Sequence, residues 1–237
     1  MSRQRGLELA DGGEPLWSAR GWLHAETLQS LAEVNEQCLE LMCEQAAVRQ
    51  GAGGGSRGEA DGFARGGRPA AIFVQLRELW SELDPAARRR AAHCPCLLVD
   101  AGFAEAGRWT RVLGGEVHDE ARFGAASPCF TVPRAVAVTR LVVTYAWHLA
   151  RSQMAAARLL LGLSERCAEL IGGCTLSQVT RVAESHVQWL APRWVDRVAV
   201  WRELLATASS GEHAALERIH MRGVQLLAAD ARTGGSL

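Results

Sequence analysis

The chain has no net charge and no lysine. Its 26 basic residues, all arginines, are balanced by 26 acidic residues over a length of 237. A neutral chain exerts no long-range attraction on nucleic acid or on an anionic membrane surface. Any contact with DNA would therefore need a local basic patch or a more basic partner.

Long apolar runs are absent as well. Residues 1–14 are polar and lack the apolar stretch of a signal peptide. The longest apolar stretches, residues 135–150 and 155–163, are interrupted by Arg140, His148 and Arg158, which argues against a membrane span. The seven cysteines are an odd, scattered set, typical of reduced thiols. The sequence predicts a cytoplasmic protein with no membrane partner.

Signatures of enzymes are missing too. The glycines of residues 51–67 are not followed by the lysine and Ser/Thr of a phosphate-binding loop, and no apolar strand precedes them. The glycine spacings within residues 51–67 lack the preceding apolar strand that a serine-hydrolase elbow or a dinucleotide fingerprint requires, and no zinc-protease motif occurs. We therefore expect no catalytic residue and no cofactor, and predict a protein that acts by binding partners.

One cluster contains metal-ligand residue types: His93, Cys94 and Cys96. Zinc takes four nitrogen or sulfur ligands, commonly offered as pairs two to four residues apart. Cys94 and Cys96 are closer than that, and a metal site would need distant cysteines brought in by folding, from the set Cys129, Cys167 and Cys174. Buried cysteines that act as small apolar residues are the favoured alternative, and no metal is predicted.

Apolar spacing and helix caps predict an all-α fold, a multi-helix bundle. A first helix over residues 25–48 carries an apolar stripe with a polar break at Gln45; the stripe comprises Leu31, Val34, Cys38, Leu41 and Val48. This stripe would either pack on the helix's own domain or form a short dimer helix.

A second helical block starts near Ala70. Its apolar face comprises Ile72, Phe73, Leu76, Leu79, Trp80 and Leu83. Asp84 and Pro85 predict an N-cap and the first position of another helix. The arginines at 88–90 on that helix are favoured as a solvated face, with phosphate contact as the alternative. Residues 96–100 form either a short strand or part of a buried helix.

Helix signals continue through the second half. A helix over 134–161 is predicted to end at Gly162, Ser164 to cap a helix over 165–171, and Gly172-Gly173 to break it. Thr175 with Gln178 has the spacing of a capping box. A helix over 193–207 follows a turn near Pro192, and Ser210 or Gly211 opens a last helix to about Ala229.

Four segments follow from these signals. They are an N-terminal helical segment (1–49), a flexible glycine-rich linker (50–69), a helical region without an assigned role (70–130) and a C-terminal helical domain (134–232). Residues 114–133 are predicted to be a linker or lid between the halves. The tail from Thr233 to Leu237 is expected to be disordered.

Tryptophan and arginine cluster near the C-terminus. The candidate interface residues are Trp189, Arg193, Trp194, Arg197 and Trp201, with Arg202 beside them. Such mixtures are favoured at binding hot spots, but they also form stacked pairs at the edge of a core. Both interpretations remain open.

A helix–turn–helix-like element is the sharpest local motif. One helix over 165–171, a turn over 172–174 and a second helix over 175–188 have the order of units that place the second helix in the DNA major groove. The candidate DNA-binding residues on that helix are Ser177, Gln178, Arg181 and Ser185. An ordinary helical corner is the alternative.

Four stretches of the second half resemble the FlhD family, the D subunit of the flagellar transcriptional activator of bacteria. They align without a gap with family runs such as A-x-x-x-L-G and T-L-x-Q-x-x-K-L-A-E. The stretches are Ala146-Trp-His-Leu149, Ala157-Arg-Leu-Leu-Leu-Gly162, Ala168-Glu-Leu-Ile171 and Thr175-Leu-Ser-Gln-Val-Thr-Arg-Val-Ala-Glu184. Trp147 stands where the family has glutamine, and Leu160 where it has arginine. The resemblance covers about residues 145–188.

The resemblance implies an all-helical regulator that forms a homo-oligomer and binds promoter DNA with an FlhC-like partner subunit. It implies that Gln178 and Arg181 face DNA, whereas Thr175 and Leu176 hold the second helix in place as cap and packing residue. The 134–232 region would then be an FlhD-like domain. The alternative is a helical interaction protein, or a secretion or flagellar accessory protein, without DNA binding.

Overall fold

The computed structural model describes residues 24–52, 69–115 and 128–233. Over these residues the chain forms eleven α-helices and one pair of two-residue strands, which confirms the all-α prediction. The linker predicted at 50–69, apart from its two ends, lies outside the described residues, as do most of the predicted lid at 114–133 and the last four residues of the tail.

The elements, numbered here along the chain, are α1 (Ala25–Ala52), α2 (Pro69–Gln75), α3 (Arg77–Glu82), α4 (Pro85–Ala92), β1 (Val99–Asp100), α5 (Ala106–Leu113), α6 (Arg134–Ser152), α7 (Met154–Leu161), α8 (Glu165–Gly173), α9 (Leu176–Ser185), β2 (Ala191–Pro192), α10 (Val198–Ser210) and α11 (His213–Thr233), with a 3₁₀ turn at Val187–Trp189 before β2.

Helix α1 buries most of its predicted stripe within the chain, against α2, α3, α4 and α6. Two details of the stripe were predicted wrongly. Val48 is 51% exposed, so the buried part of this face ends before it. Gln45 does not break the stripe: it is buried, and its Oε1 accepts a hydrogen bond of 2.6 Å from the backbone N–H of Thr131. The core tolerates this amide because its oxygen is paired.

The apolar face of the second block is confirmed, but the block is two helices. The turn at Leu76 separates α2 from α3, and the indole N–H of Trp80 bridges the break by donating to the carbonyl of Ile72 at 3.1 Å. The predicted cap of α4 is also confirmed. The carboxylate of Asp84 accepts from the backbone N–H of Ala87 at 2.7 Å, and Pro85 occupies the first helical position.

The sequence favoured a solvated face for the three arginines of α4, but only part of this face is exposed to solvent. Arg90 donates from Nε to the carbonyl of Ala208 at 2.7 Å, which joins α4 to α10. Arg88 is half-buried and donates to the carbonyl of Leu83 at 3.2 Å. Of the three, only Arg89 is exposed.

Of residues 96–100, for which a strand and a helix were both open, only Val99 and Asp100 form a strand, and none is helical. β1 pairs antiparallel with β2, with Val99 opposite Pro192 and Asp100 opposite Ala191. The pairing overturns the helix predicted from residue 193, because a strand and a turn occupy 191–197 and α10 begins only at Val198. Trp194 in that turn has a φ of 53°, a left-handed conformation that is costly for a large side chain.

The long helix predicted over 134–161 is interrupted. Gln153, with a φ of −148°, lies between α6 and α7 and belongs to neither helix. The predicted end at Gly162 is confirmed: its φ of 64° is a conformation that glycine adopts without steric cost. The break at Gln153 lacks the Gly or Pro signal that sequence reasoning looks for.

The last helices follow their predicted caps more closely than their predicted ends. Ser164 and Thr175 cap α8 and α9 as expected. Gly172 and Gly173 do not break α8, which includes both and ends at Cys174. Gly211 closes α10 in a left-handed conformation, and α11 starts at His213 and extends to Thr233, beyond the predicted end.

One continuous hydrophobic core runs through the described helices. Residues of α1, of the 70–130 region and of the C-terminal helices all contribute to it. Helix α6 lies centrally and contacts α1, α7, α8 and α9. Among the described residues, no helix combines the length and the apolar content that a membrane crossing requires.

Candidate functional site

The candidate site is a corner formed by α8 and α9, and its local sequence rigidly caps both helices. The hydroxyl of Ser164 accepts from the backbone N–H of Cys167 at 3.2 Å. Thr175 and Gln178 form a complete capping box, in which the Gln178 Oε1 accepts from the Thr175 N–H at 2.8 Å. Each cap satisfies backbone donors that the first turn of a helix leaves unpaired.

The turn of the corner is fixed on α6. The indole N–H of Trp147 donates to the carbonyl of Cys174 at 2.8 Å, and the guanidinium of Arg151 lies 5.1 Å from the Trp147 ring centre. At the far end of α9, Arg140 forms an ion pair of 2.5 Å with Glu184. The second helix is thus held at both ends. Sequence reasoning noted Trp147 only as a departure from the family pattern and missed this role.

The four candidate DNA-binding residues do not share one environment. Ser177, Arg181 and Ser185 are exposed and follow one another at four-residue spacing, which places them on one face of α9. Gln178 is half-buried, and its side-chain oxygen is engaged in the capping box. The structure therefore brings three of the four together on the outer surface of the corner.

Leu176 was predicted to pack α9 against the bundle, and this prediction is wrong. Its side chain is 55% exposed, whereas Val179 is fully buried and faces the core. Leu176 is the first helical residue after the cap, a position from which the side chain points away from α6. The buried face of α9 is built instead by Val179, Val182 and Ala183.

Arg181 differs from the arginines around it. Arg140, Arg158 and Arg166 each form an ion pair with a glutamate of the same chain. Arg181 is exposed and has no hydrogen bond or ion pair with any residue that the structure describes. Its guanidinium is therefore available to a phosphate or to a carboxylate of another molecule.

Two tryptophans of the candidate interface lie inside the molecule. Trp201 is fully buried, with its ring centre 5.7 Å from that of Trp80, and its indole N–H donates to the carbonyl of Arg193 at 2.7 Å. Trp194 is also buried. These rings offer little surface to a partner.

The two arginines of the candidate interface make contacts within the chain. Arg193 is nearly buried and donates to the carbonyls of Leu97 and Leu161, at 3.0 and 2.5 Å, while its Nη2 lies 3.4 Å from an oxygen of Asp100. Arg197, by contrast, forms an exposed pair with a carboxylate of α11.

Trp189 is half-buried and stacked. Its ring centre lies 4.4 Å from that of His186, with the planes inclined by 19°, and it meets the ring of Trp109 edge-on at 5.6 Å. Of the candidate interface set, Trp189 and Arg197 keep the most accessible surface.

The metal-ligand residue types differ in environment, since His93 lies at the surface and the two cysteines lie in the core. His93 is exposed, and its Nδ1 lies 2.7 Å from the carbonyl oxygen of Arg89. Cys94 and Cys96 are buried with their Sγ atoms 3.4 Å apart. Burial raises the pKa of Cys129 to about 12, as expected for a thiol in apolar surroundings. No group of three possible ligands that could hold a metal ion occurs within residues 24–52, 69–115 and 128–233.

Asn35 was missed by sequence reasoning although it organises the loop between α4 and β1. Its amide nitrogen lies within 3.2 Å of the carbonyl oxygens of Ala92, Cys94 and Cys96, and its Oδ1 accepts from the N–H of Leu98 at 2.9 Å. The available signal was a polar residue four positions after Leu31, on the apolar stripe of α1.

These features define an all-helical protein whose C-terminal half carries a capped two-helix corner fixed on a central helix. Residues 142–232 match the model of a family described as the flagellar transcriptional activator FlhD. The predicted resemblance is confirmed, and it extends past residue 188 through α10 and most of α11. No curated protein and no solved structure matches the chain.

Proposed function

We propose that the protein is an FlhD-like transcriptional regulator of the cytoplasm that binds promoter DNA as part of a complex. The matched segment contains the whole two-helix corner. The observation that carries the proposal is Arg181, an exposed arginine without a partner among the described residues, on the second helix of that corner. Ser177 and Ser185 on the same face can donate hydrogen bonds to phosphate or base edges.

The complex is part of the proposal because the chain alone is a poor DNA ligand. Its net charge is zero, and three of the arginines near the corner are neutralised by glutamates. One free guanidinium contributes a single phosphate contact, which is far short of the six to ten that give strongly salt-dependent binding. We therefore propose a homo-oligomer joined by an FlhC-like partner subunit that supplies further positive charge.

Replacing Arg181 by alanine is expected to weaken DNA binding by the complex and to lower its salt dependence. The slope of log K against log salt is negative, and its magnitude should fall by about 0.9, the contribution of one phosphate on duplex DNA. The melting temperature should stay nearly unchanged, because the side chain forms no hydrogen bond or ion pair within the described residues. Fluorescence anisotropy over a salt series, with the native partner present, measures the slope.

Arg202→Ala is the matched control, since Arg202 is an exposed arginine of α10, away from the corner. It should leave both the affinity and the slope as in the wild type. Tight, salt-sensitive DNA binding by the isolated chain would contradict the need for a partner. An unchanged slope in Arg181→Ala would contradict the role of the corner.

A second candidate function is favoured by Leu176. A leucine that is 55% exposed beside the turn is a better contact for an apolar surface of a protein than for DNA phosphates. The corner would then serve a protein–protein interaction, as in a secretion or flagellar accessory protein without DNA binding.

The variant Leu176→Ala separates the two functions. Because the side chain is mostly in solvent, the free energy of unfolding should change by no more than about 0.5 kcal/mol. A protein-binding corner should lose about tenfold in partner affinity, measured by titration calorimetry. Val74→Ala, another exposed apolar residue at 52%, is the control and should bind as the wild type does. If Leu176→Ala keeps full partner affinity while Arg181→Ala weakens DNA binding, the protein–protein function of the corner is rejected and the regulator function is kept.

A further inference from the structure

Cys94 and Cys96 form a close pair of thiols in the loop between α4 and β1. Their Sγ atoms are 3.4 Å apart, with Pro95 between the two residues. Both side chains are buried and reduced. A disulfide has an S–S distance of about 2.05 Å, so the two sulfurs need to approach each other by little more than about 1 Å in total.

The backbone around this pair is held in place from α1. The side-chain amide of Asn35 contacts the carbonyl oxygens of both cysteines, at 3.2 and 3.0 Å, and also binds the N–H of Leu98. Pro95 restricts the backbone further because its ring fixes φ. The loop thus presents the two sulfurs to each other before any oxidation takes place.

Helix α11 packs against the thiol pair at Gly223. A Cβ atom at Gly223 would lie 3.4 Å from Sγ of Cys96, 3.5 Å from Sγ of Cys94 and 3.2 Å from the ring of Trp194. The distances to the two sulfurs are van der Waals contacts and the distance to the Trp194 ring is shorter than one, so α11 packs against both sulfurs at this glycine. An oxidant of the size of a peptide disulfide can reach them only when α11 moves away.

We propose that Cys94 and Cys96 are a redox-active dithiol that forms an intramolecular disulfide, and that α11 controls access to it. The thiols lie outside the segment that matches the FlhD family, whereas Gly223 lies inside it. Oxidation of Cys94 and Cys96, outside the similar segment, is thereby linked to the docking of α11, which lies within it. This inference does not depend on DNA binding.

The oxidant is a small disulfide such as oxidised glutathione. The thiolate of one cysteine attacks a sulfur of the oxidant, forms a mixed disulfide and releases one glutathione thiolate. The second cysteine then attacks the protein sulfur of the mixed disulfide and releases the other. The protein loses two electrons and two protons, which leave with two molecules of reduced glutathione.

The docked state protects the pair in the reduced form. The neighbouring Cys96 thiol and burial raise the pKa of Cys94 well above its usual range, so the reactive thiolate is scarce while α11 is in place. Movement of α11 would admit water to the pair, which would lower the pKa of Cys94 and make its thiolate more abundant. Cys43, which is half-exposed, provides an internal reference for a thiol that α11 does not cover.

The test measures the rate of disulfide formation in the full-length protein with oxidised glutathione at neutral pH. At this pH His220 of α11 is neutral, because burial lowers its pKa to about 4, and its protonation does not disturb the helix. Mass spectrometry of digests counts the loss of two hydrogen atoms in the peptide that contains both cysteines. In Cys96→Ser this loss should disappear, leaving a mixed disulfide with glutathione on Cys94.

Gly223→Ala should accelerate formation of the 94–96 disulfide about threefold or more, because the added methyl group would lie 3.2 Å from the Trp194 ring and so weaken the docking of α11. Gly173→Ala is the matched control, since a Cβ at this helical glycine meets nothing within 4 Å, and its rate should equal that of the wild type. If Gly223→Ala does not fold, the wild type in urea below its unfolding transition should show the same acceleration.

Two results would overturn the proposal. One is mixed disulfide formation at Cys43 without any disulfide between Cys94 and Cys96 in the wild type, in Gly223→Ala and in urea. The other is formation of that disulfide at one and the same rate under all these conditions, which would show that α11 does not control access.

Discussion

Replacing Asn35 by alanine is expected to lower the free energy of unfolding by about 3–5 kcal/mol. The side chain is fully buried, and its Oδ1 accepts the hydrogen bond of the Leu98 N–H. Removing the amide leaves this donor and the carbonyls of the 92–96 loop without their partner, and each buried unpaired group costs about 1–3 kcal/mol. Denaturation in urea, followed by circular dichroism, measures the loss.

Gln29→Ala is the matched control, because Gln29 is an exposed amide on the same helix and bonds only to the exposed Glu33 in the described structure. This change should cost less than about 0.5 kcal/mol. Asn35→Asp should be as damaging as Asn35→Ala, since it keeps the acceptor for Leu98 but replaces the donor by a charge that faces three carbonyls. A loss below about 1 kcal/mol in Asn35→Ala would contradict the role assigned to the amide.

Replacing Arg193 by methionine is expected to cost about 2–4 kcal/mol, chiefly because two carbonyls lose a charged donor. The Asp100 carboxylate is 35% exposed, so its ion pair of 3.4 Å with Arg193 adds little. The Arg193 side chain is only 10% exposed and joins three parts of the chain: β1 through Asp100, the preceding loop through Leu97, and the end of α7 through Leu161. Methionine keeps much of the apolar stem but none of the donors. The two carbonyls and the Asp100 carboxylate would then lose their shared partner.

Arg197→Met provides the comparison, because Arg197 pairs with Asp230 at the surface, where its side chain is 39% exposed. Exposed ion pairs contribute about 0–1 kcal/mol, so this variant should unfold almost as the wild type does. Both variants are compared by urea denaturation at the same ionic strength. Equal losses in the two would show that burial of the Arg193 guanidinium has no special importance.

The parts of the fold that depend on neighbours in sequence could be predicted. The caps at Asp84, Ser164 and Thr175 are local, since each side chain binds the backbone three residues ahead. The end of α7 at Gly162 is local as well. The resemblance to FlhD is carried by the same local runs, and its alignment spans both helices of the corner.

The parts that depend on distant residues could not be predicted. The resemblance to FlhD implied a packing role for Leu176, but the direction of its side chain is set by how α9 lies on α6. The helix predicted from residue 193 begins only at Val198, after a turn that follows β2, and β2 exists because β1, more than ninety residues earlier, pairs with it. The roles of Trp147 and Asn35 likewise consist of hydrogen bonds to carbonyls that sequence spacing does not reveal.

The position of Arg193 bears on how this chain could have evolved. The segment that is similar to FlhD begins at residue 142, in the middle of α6. The guanidinium of Arg193 lies within this segment, but it pairs with the carboxylate of Asp100, which lies 42 residues before the segment begins. Excised at the border, the segment would start with half a helix and an orphaned charge. The segment that is similar to FlhD and the unit that shares one core therefore begin at different residues. The additional N-terminal helices share one hydrophobic core with the helices that hold the corner, so a gene fragment covering the similar region alone would encode only part of that core.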